Sequence, residues 1–221
     1  MKIVVLILTF VLFNSVLMSQ PLAEGRIVYD IKVSKETDPQ IASMIPKEAF
    51  LWFKKGKSRF EMTMLMGTKN ITISDEVAKK TVVLMDFLGN KYAHTSTFEE
   101  PNAEAKKLKT EAKVTNTNET KIIAGYKCTK YIVEMADRSG KKSQFEIWIT
   151  KELAFSGKGQ EGPLSKVDGA ALEFTIAQGP ITMTLTAREA FQEKVSDDKF
   201  TVPTGYKEMT IEELKMLTGG R

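Results

Sequence analysis

Residues 119–150 constrain the fold more than any other part of the chain. Their sequence, ETKIIAGYKCTKYIVEMADRSGKKSQFEIWIT, contains three runs in which apolar and polar residues alternate. Ala124-Gly125 separates the first two runs, and the polar turn DRSG at residues 137–140 separates the second from the third. Gly-containing polar breaks between alternating runs are typical of hairpin turns. The pattern therefore predicts three antiparallel strands that belong to the core of a sheet.

Alternation also assigns the side chains of these strands to opposite faces, because successive residues of a strand point in opposite directions. The apolar faces of the second and third strands hold Tyr131, Val133, Met135, Phe145, Ile147 and Ile149. We interpret this segment as a structural core and not as a reaction centre.

The N-terminus has the pattern of a secretory signal peptide. Lys2 precedes an apolar run over residues 3–13, and polar residues interrupt the run sooner than in a membrane anchor, which needs ~20 apolar residues. An uncleaved anchor is the alternative. We expect residues 1–22 to be a signal peptide and residues 23–221 to form one domain, periplasmic or secreted. The apolar run is not followed by a lipobox cysteine.

Composition narrows the possible partners and the means of stabilisation. The 221 residues include 32 basic and 28 acidic residues, which are interspersed, so nucleic acid is a poor candidate partner. Cys128 is the single cysteine, so no disulfide can form within the chain and stability must come from packing. No sequence motif for a metal or another cofactor is present.

The remaining alternating runs predict about nine strands in all. This indicates a mainly β (α+β) fold, with a curved antiparallel sheet or half-barrel and two or three short covering helices. The hairpin at residues 48–66 turns at Lys55-Gly56-Lys57. Asp38 and Pro39 begin one amphipathic helix over residues 39–45, and Thr210 with Glu213 forms a capping box for another over residues 211–217. A polar third helix is expected at residues 102–108.

Two stretches, ETKIIAGYKCTKY at residues 119–131 and FTVPTGYKEMTIEEL at residues 200–214, resemble domain-of-unknown-function family 4412. An export signal followed by EGRIVYDIKV adds to the resemblance, which extends over nearly all of the expected mature chain. The family consists of exported bacterial proteins. The resemblance implies a fold similar to the LolA/LolB lipoprotein carriers, in which an apolar concave face holds acyl chains. It transfers no functional residue.

One set of apolar residues forms a candidate ligand-binding surface. Met62, Met64 and Met66 alternate on one predicted strand, and Phe50 and Trp52 share a face of the strand before it. Methionine side chains adapt to irregular apolar ligands, so this set is our tentative binding surface. Ordinary core packing is the alternative. A copper site with thioether ligands is a further alternative. It would need His94, the single histidine, near the methionines.

Catalytic interpretations have less support. Cys128 and His94 could form a nucleophile and base, but nothing in the sequence places them together. The acidic pairs Glu99-Glu100, Asp197-Asp198 and Glu212-Glu213 lie in polar segments typical of solvated charge, although a hydrolase could use two carboxylates. The long loop at residues 157–169 could be a lid or a surface loop. We therefore expect no enzyme activity.

These observations favour an exported soluble protein that binds a lipid or another hydrophobic ligand in the concave face of its sheet. The helices at residues 39–45 and 211–217 would act as movable covers, and a lipid or lipidated protein would be the partner. Met64→Lys should then abolish binding. The alternative is a non-catalytic envelope module whose core is filled by its own side chains and whose edges or loops bind protein.

Overall fold

The computed structural model describes residues 23–63, 67–87, 89–98, 112–136, 142–155, 164, 166–178, 181–210, 212–213 and 216. The predicted signal peptide at residues 1–22 and the predicted polar helix at residues 102–108 lie outside the described residues, as does the acidic pair Glu99-Glu100. None of the helices within the described ranges is long and apolar enough to cross a membrane.

In the part of the chain that the structure describes, twelve strands form a single sheet. In chain order they are β1 (Glu24–Val33), β2 (Glu48–Lys54), β3 (Lys57–Thr63), β4 (Lys69–Asp75), β5 (Lys80–Phe87), β6 (Asn90–Thr97), β7 (Lys113–Ile123), β8 (Tyr126–Ala136), β9 (Lys142–Thr150), β10 (Ala170–Gln178), β11 (Ile181–Gln192) and β12 (Lys207–Glu208). A short helix, α1 (Pro39–Met44), lies between β1 and β2, and a 3-10 helix spans Asp197–Phe200.

The strand order is β12-β6-β5-β4-β3-β2-β1-β11-β10-β9-β8-β7. The sheet is thus two antiparallel meanders, β1–β6 and β7–β11, joined where the last strand of the second meander pairs with β1. This junction is antiparallel and brings Ile31 opposite Leu185. Among the described strands, only the two-residue β12 pairs in parallel, with β6. The predicted mainly β, antiparallel architecture with few helices is therefore confirmed.

The number of strands exceeds the nine or so expected from sequence. The sequence analysis missed β6, whose polar sequence NKYAHTST lacks clear alternation, and β12, which exists only because it pairs with β6. The predicted central meander is confirmed as β7, β8 and β9, and β7 begins earlier than expected, at Lys113. Tyr131 lies opposite Ile147, as the predicted faces require.

Local sequence located two hairpin turns, although the first consists of Lys55 and Gly56 alone, because Lys57, which we expected in the turn, begins β3. Lys55 and Gly56 both have positive φ, at 46° and 78°, and Ala124 and Gly125 have φ of 48° and 85°. Two consecutive residues with positive φ form the turn that matches the twist of an antiparallel hairpin. The turn predicted at residues 137–140 lies outside the described residues.

The caps of both predicted helices are present. The Asp38 carboxylate accepts hydrogen bonds from the backbone N–H groups of Gln40 and Ile41, at 2.8 and 3.3 Å. Thr210 and Glu213 form the reciprocal capping box, in which the Thr210 N–H donates to Glu213 Oε2 at 2.8 Å and the Glu213 N–H donates to Thr210 Oγ1 at 3.2 Å. The sequence thus predicted both helix starts correctly.

The packing of α1 differs from the amphipathic cover that we expected. None of its residues is buried, and the Met44 side chain is 48% exposed. Only Ile45, which follows the helix, joins the core. In the second predicted helix Glu212, Glu213 and Met216 are helical and exposed, and the rest of residues 211–217 lies outside the described residues.

The main core lies against β1, β2 and β8–β11 and is filled by the chain's own side chains. The Tyr29 ring contacts the rings of Phe174 and Phe60 edge to face, with centroids 5.7 and 6.4 Å apart. Residues 151–169 also contribute to this core through Leu153, Phe155 and Val167, all buried. Part of the loop predicted at residues 157–169 is therefore core, whereas residues 157–163 and 165 lie outside the described residues.

Candidate ligand-binding face

The register of the β2–β3 hairpin divides the predicted binding residues between two faces of the sheet. Residues directly opposite each other on an antiparallel pair share a face. Phe50 lies opposite Glu61 and Trp52 opposite Arg59, whereas Met62 lies opposite Ala49. Phe50 and Trp52 are therefore on one face, and Met62 is on the other. Met64 and Met66 lie outside the described residues.

The face with Phe50 and Trp52 is covered by the chain itself. The two rings stack with centroids 5.7 Å apart. Residues 193–209, which we call the C-terminal strap, cross this face on the way from β11 to β12. Lys199 of the strap lies 4.5 Å from the centroid of the Trp52 ring, and the Arg59 guanidinium donates to the Lys199 carbonyl at 3.2 Å.

Below the strap is a second hydrophobic core. It consists of one face of β4, β5 and β6 together with two strap residues: Ile71, Ile73, Val82, Leu84, Ala93, Val195 and Phe200. Trp52 and Tyr206 pack at its edge. Because Ile71 lies opposite both Glu61 and Leu84, this core is on the Phe50 side of the sheet. We therefore interpret the face with Phe50 and Trp52 as part of the hydrophobic core and not as a ligand-binding surface.

Lys54 attaches the start of the strap to β2. Its ammonium group donates to the Val195 carbonyl at 2.7 Å and lies 3.0 Å from the Asp197 carboxylate. The hydrogen bond and charge of Asp197 raise the pKa of Lys54, and Lys54 lowers the pKa of Asp197. At its other end the strap pairs with β6, where the Met209 N–H donates to the Ala93 carbonyl at 2.8 Å.

The opposite face of β3–β6 has a different character. Following the pairings from β3 to β6 gives two rows of side chains, both half-buried. One row is Phe60, Thr72, Val83 and His94, and the next is Met62, Asn70, Met85 and Tyr92. We call these eight residues the methionine face. It mixes adaptable apolar side chains with a few polar groups, the composition typical of ligand-binding surfaces.

The methionine face is continuous with the main core. Phe60 and Met62 pack against that core from its edge, and Phe60 reaches the buried Tyr29 ring. The sequence analysis identified Met62 but missed Val83, Met85 and Tyr92. The alternation of Val83 and Met85 in β5 was a usable signal, but their proximity to Met62 depends on the pairing of β3, β4 and β5.

A small pocket lies at one end of the methionine face. Its lining residues are Gly56, Lys57, Ser58, Ser74, Glu76, Ala154 and Phe155, and its cavity volume is about 10 Å³, enough for about one water-sized group. Ser58 lies opposite Ser74, which lies opposite Thr81, so these hydroxyls form the row next to Phe60 and Thr72. The pocket is therefore a polar end to a largely apolar surface.

The Cys128 and His94 pair is not brought together as a reactive site. Cys128 is on β8 and His94 on β6, near opposite ends of the strand order. Burial raises the pKa of the Cys128 thiol to about 11, which disfavours the thiolate. His94 Nδ1 lies 3.0 Å from the Met209 carbonyl oxygen.

The structure places Met62 and His94 too far apart for the copper site considered in the sequence analysis. His94 shares the methionine face with Met62, but three strand spacings, ~14 Å, separate β6 from β3. This is too far for one metal ion. The described residues contain no group of three His, Cys, Asp or Glu residues placed to hold a metal.

The described acidic pairs have structural partners. Asp197 pairs with Lys54, and Asp198 belongs to the 3-10 helix of the strap. Glu213 caps the helix that follows Thr210, and the Thr210 N–H hydrogen bond lowers the pKa of Glu213. Neither pair forms the two facing carboxylates that a hydrolase would need.

A comparison with protein families matches residues 35–157 to the family described as Domain of unknown function (DUF4412). The match covers more than half of the chain and includes the ETKIIAGYKCTKY stretch. The second stretch, at residues 200–214, and EGRIVYDIKV at residues 24–33 lie outside it. A comparison with curated proteins found no match. The chain therefore belongs to domain-of-unknown-function family DUF4412.

Proposed function

We propose that this chain is an exported protein that binds a lipid or another hydrophobic ligand on the methionine face, in a fold similar to the LolA/LolB lipoprotein carriers. One observation carries the proposal. The strap buries one face of β3–β6, whereas Phe60, Met62, Val83, Met85 and Tyr92 on the other face are only half-buried. Removing these side chains from water would favour binding of an apolar ligand.

The energetics limit what such a face can hold. Burial of an acyl chain contributes ~0.8 kcal/mol per CH₂ group. Twelve buried groups would contribute ~10 kcal/mol, and association costs at least ~4 kcal/mol. The balance is therefore at most ~6 kcal/mol, which corresponds to a dissociation constant on the order of 0.04 mM or weaker. Single chains of this length should therefore bind measurably but reversibly, as expected of a carrier.

Native mass spectrometry of the protein purified from its own envelope fraction, followed by lipid extraction, tests the proposal. A bound lipid at defined stoichiometry supports it. A mass without ligand, together with no uptake of a fluorescent fatty acid, contradicts it. N-terminal sequencing of the same preparation tests export, because a mature N-terminus near residue 23 is expected if residues 1–22 are removed.

A second candidate function is a non-catalytic envelope module that binds other proteins. The observation that favours it is the filled core on β1, β2 and β8–β11, where Ile27, Leu172 and Leu185 are completely buried. These side chains belong to one hydrophobic core that the chain fills itself. A ligand-free mass in the experiment above, with a protein recovered by crosslinking in the envelope, would favour this second candidate.

A further inference from the structure

The pocket next to the methionine face contains an unpaired acceptor. Glu76 Oε1 is buried and has no hydrogen-bond partner among the residues that the structure describes. A buried carboxylate oxygen without a partner is costly, and native proteins usually satisfy such an atom with a water, an ion or a ligand. A carboxylate can only accept hydrogen bonds, so the missing partner must donate one.

The contacts of the described neighbouring groups explain why none of them supplies this donor. The Glu76 backbone N–H donates to the Gly56 carbonyl at 2.9 Å, which fixes the turn but leaves the side chain free. Lys57 also lines the pocket, but its ammonium lies 3.4 Å from the carboxylate of Asp75. Asp75 also accepts hydrogen bonds from the backbone N–H groups of Val77 and Ala78.

The other polar groups of the pocket are buried hydroxyls. Ser58 and Ser74 are 8% and 4% exposed, and Ser74 Oγ lies 3.4 Å from Thr81 Oγ1. A hydroxyl oxygen can accept a hydrogen bond from a ligand while donating its own proton elsewhere. One carboxylate and two hydroxyls therefore present acceptors toward a small space, and this matches a primary ammonium group, which has three donors and a positive charge.

The position of the pocket allows a bound ammonium group to be the head of a ligand whose chain lies on the methionine face. Ser58 and Phe60 are two residues apart on β3, so they share a face and are separated by ~7 Å. Met62 continues the same line for another ~7 Å. A ligand whose head lies at Ser58 and Ser74 can therefore extend its chain along Phe60 and Met62.

We propose that the pocket formed by Ser58, Ser74 and Glu76 binds the primary ammonium head of an amphiphile whose apolar chain lies on the methionine face. This inference rests on the proposed ligand-binding function and adds the chemical class of the ligand. Glu76 provides the charge and the unpaired acceptor, and the two serines orient the head group.

Isothermal titration at pH 7 with three amphiphiles of equal chain length tests this inference. The probes are dodecylammonium, dodecyltrimethylammonium and dodecanoate, each below its micelle-forming concentration. Dodecylammonium combines charge with N–H donors, dodecyltrimethylammonium has charge without donors, and dodecanoate has the opposite charge. We expect dodecylammonium to bind at least about tenfold more tightly than either of the others, the lower end of what a charge-assisted hydrogen bond contributes.

Two pocket variants and one control identify the group responsible. Glu76→Gln should remove the preference for dodecylammonium while leaving the affinity for dodecanoate within about twofold. The matched control Glu36→Gln, an exposed position outside the pocket, should leave the preference intact. Ser74→Ala serves as a second pocket variant and should weaken dodecylammonium binding without changing dodecanoate binding.

The outcomes separate the two proposals. If all three probes bind equally, or if the preference survives Glu76→Gln, the ammonium site is wrong although the methionine face still binds apolar chains. If none of the probes binds the folded wild-type protein, the proposed function itself fails and this inference fails with it.

Discussion

Tyr29 donates a hydrogen bond from its buried phenol to the backbone carbonyl of Ala171, at 2.8 Å. The two residues belong to β1 and β10, which are not neighbours because β11 lies between them. The bond therefore passes beneath β11 and ties together the two meanders inside the main core. Burial strongly raises the pKa of Tyr29, which favours the protonated phenol that donates this hydrogen bond.

Replacing this tyrosine should destabilise the fold by leaving a buried carbonyl without its partner. We expect Tyr29→Phe to lower the free energy of unfolding by about 1–3 kcal/mol, the cost of an unsatisfied buried acceptor. Urea denaturation measures the change. Tyr131→Phe, at a half-buried position, is the control and should cost less. Equal losses in the two variants would show that the Tyr29–Ala171 bond contributes nothing specific.

The strap should make stability depend on pH through Asp197. Its pKa lies below the ordinary value of 3.8 because Lys54 stabilises the charged carboxylate in the folded state. A carboxyl with a lowered folded-state pKa contributes stability that is fully present above its unfolded pKa and is lost as pH falls through the folded pKa. Asp197→Asn should therefore be less stable than wild type near neutral pH.

This difference should diminish as the pH falls below about 4 and disappear at still lower pH, where the wild-type carboxyl is protonated too. Denaturant unfolding at pH 7, 5, 4 and 3 measures it. Asp168→Asn, at an exposed position away from the strap, is the comparison. A deficit for Asp197→Asn that stays constant down to pH 3 would contradict the role of the carboxylate charge.

Gly169 should tolerate a side chain far less than another glycine with positive φ. Gly169 has φ of +118° and Gly205 has φ of +88°, so alanine is strained at both positions. A Cβ at Gly169 would also collide with the backbone carbonyl oxygen of Thr150, whereas at Gly205 it meets nothing within 4 Å. We expect Gly205→Ala to cost about 1–2 kcal/mol.

Gly169→Ala should cost about 2 kcal/mol more than Gly205→Ala, because the β9–β10 connection must move to relieve the collision. Thermal and urea unfolding of both variants measure the difference. Similar losses in the two variants would mean that Thr150 moves aside without cost.

The methionine face should lose ligand binding when a charge is placed at its centre. Met85→Lys introduces an ammonium group among Met62, Asn70 and Tyr92, which an apolar ligand would have to desolvate. We expect uptake of a fluorescent fatty acid to fall at least about tenfold. Met44→Lys on α1, where the methionine is exposed, is the control, and circular dichroism checks that both variants fold. Unchanged uptake by folded Met85→Lys would place the ligand elsewhere.

The candidate site shows how far the sequence could predict function. Alternation correctly placed Phe50 and Trp52 on one face of β2, but we expected Met62 to lie near them. The two-residue turn at Lys55 and Gly56 pairs Lys54 with Lys57, and this register puts Met62 on the opposite face. A one-residue change of register reverses every face of a strand, so interpreting the turn as three residues was enough to cause the error.

Local sequence by itself determined the hairpins, the central meander, the helix caps and the antiparallel class of this protein, because each depends on interactions between residues close in the chain. Only the tertiary structure decided that β11 returns to pair with β1, that the strap crosses β2–β6, and that Met62 and Met85 share a face with the Glu76 pocket. These relations join residues far apart in sequence. Their energies come from burial and from pairing between strands, which no local pattern records.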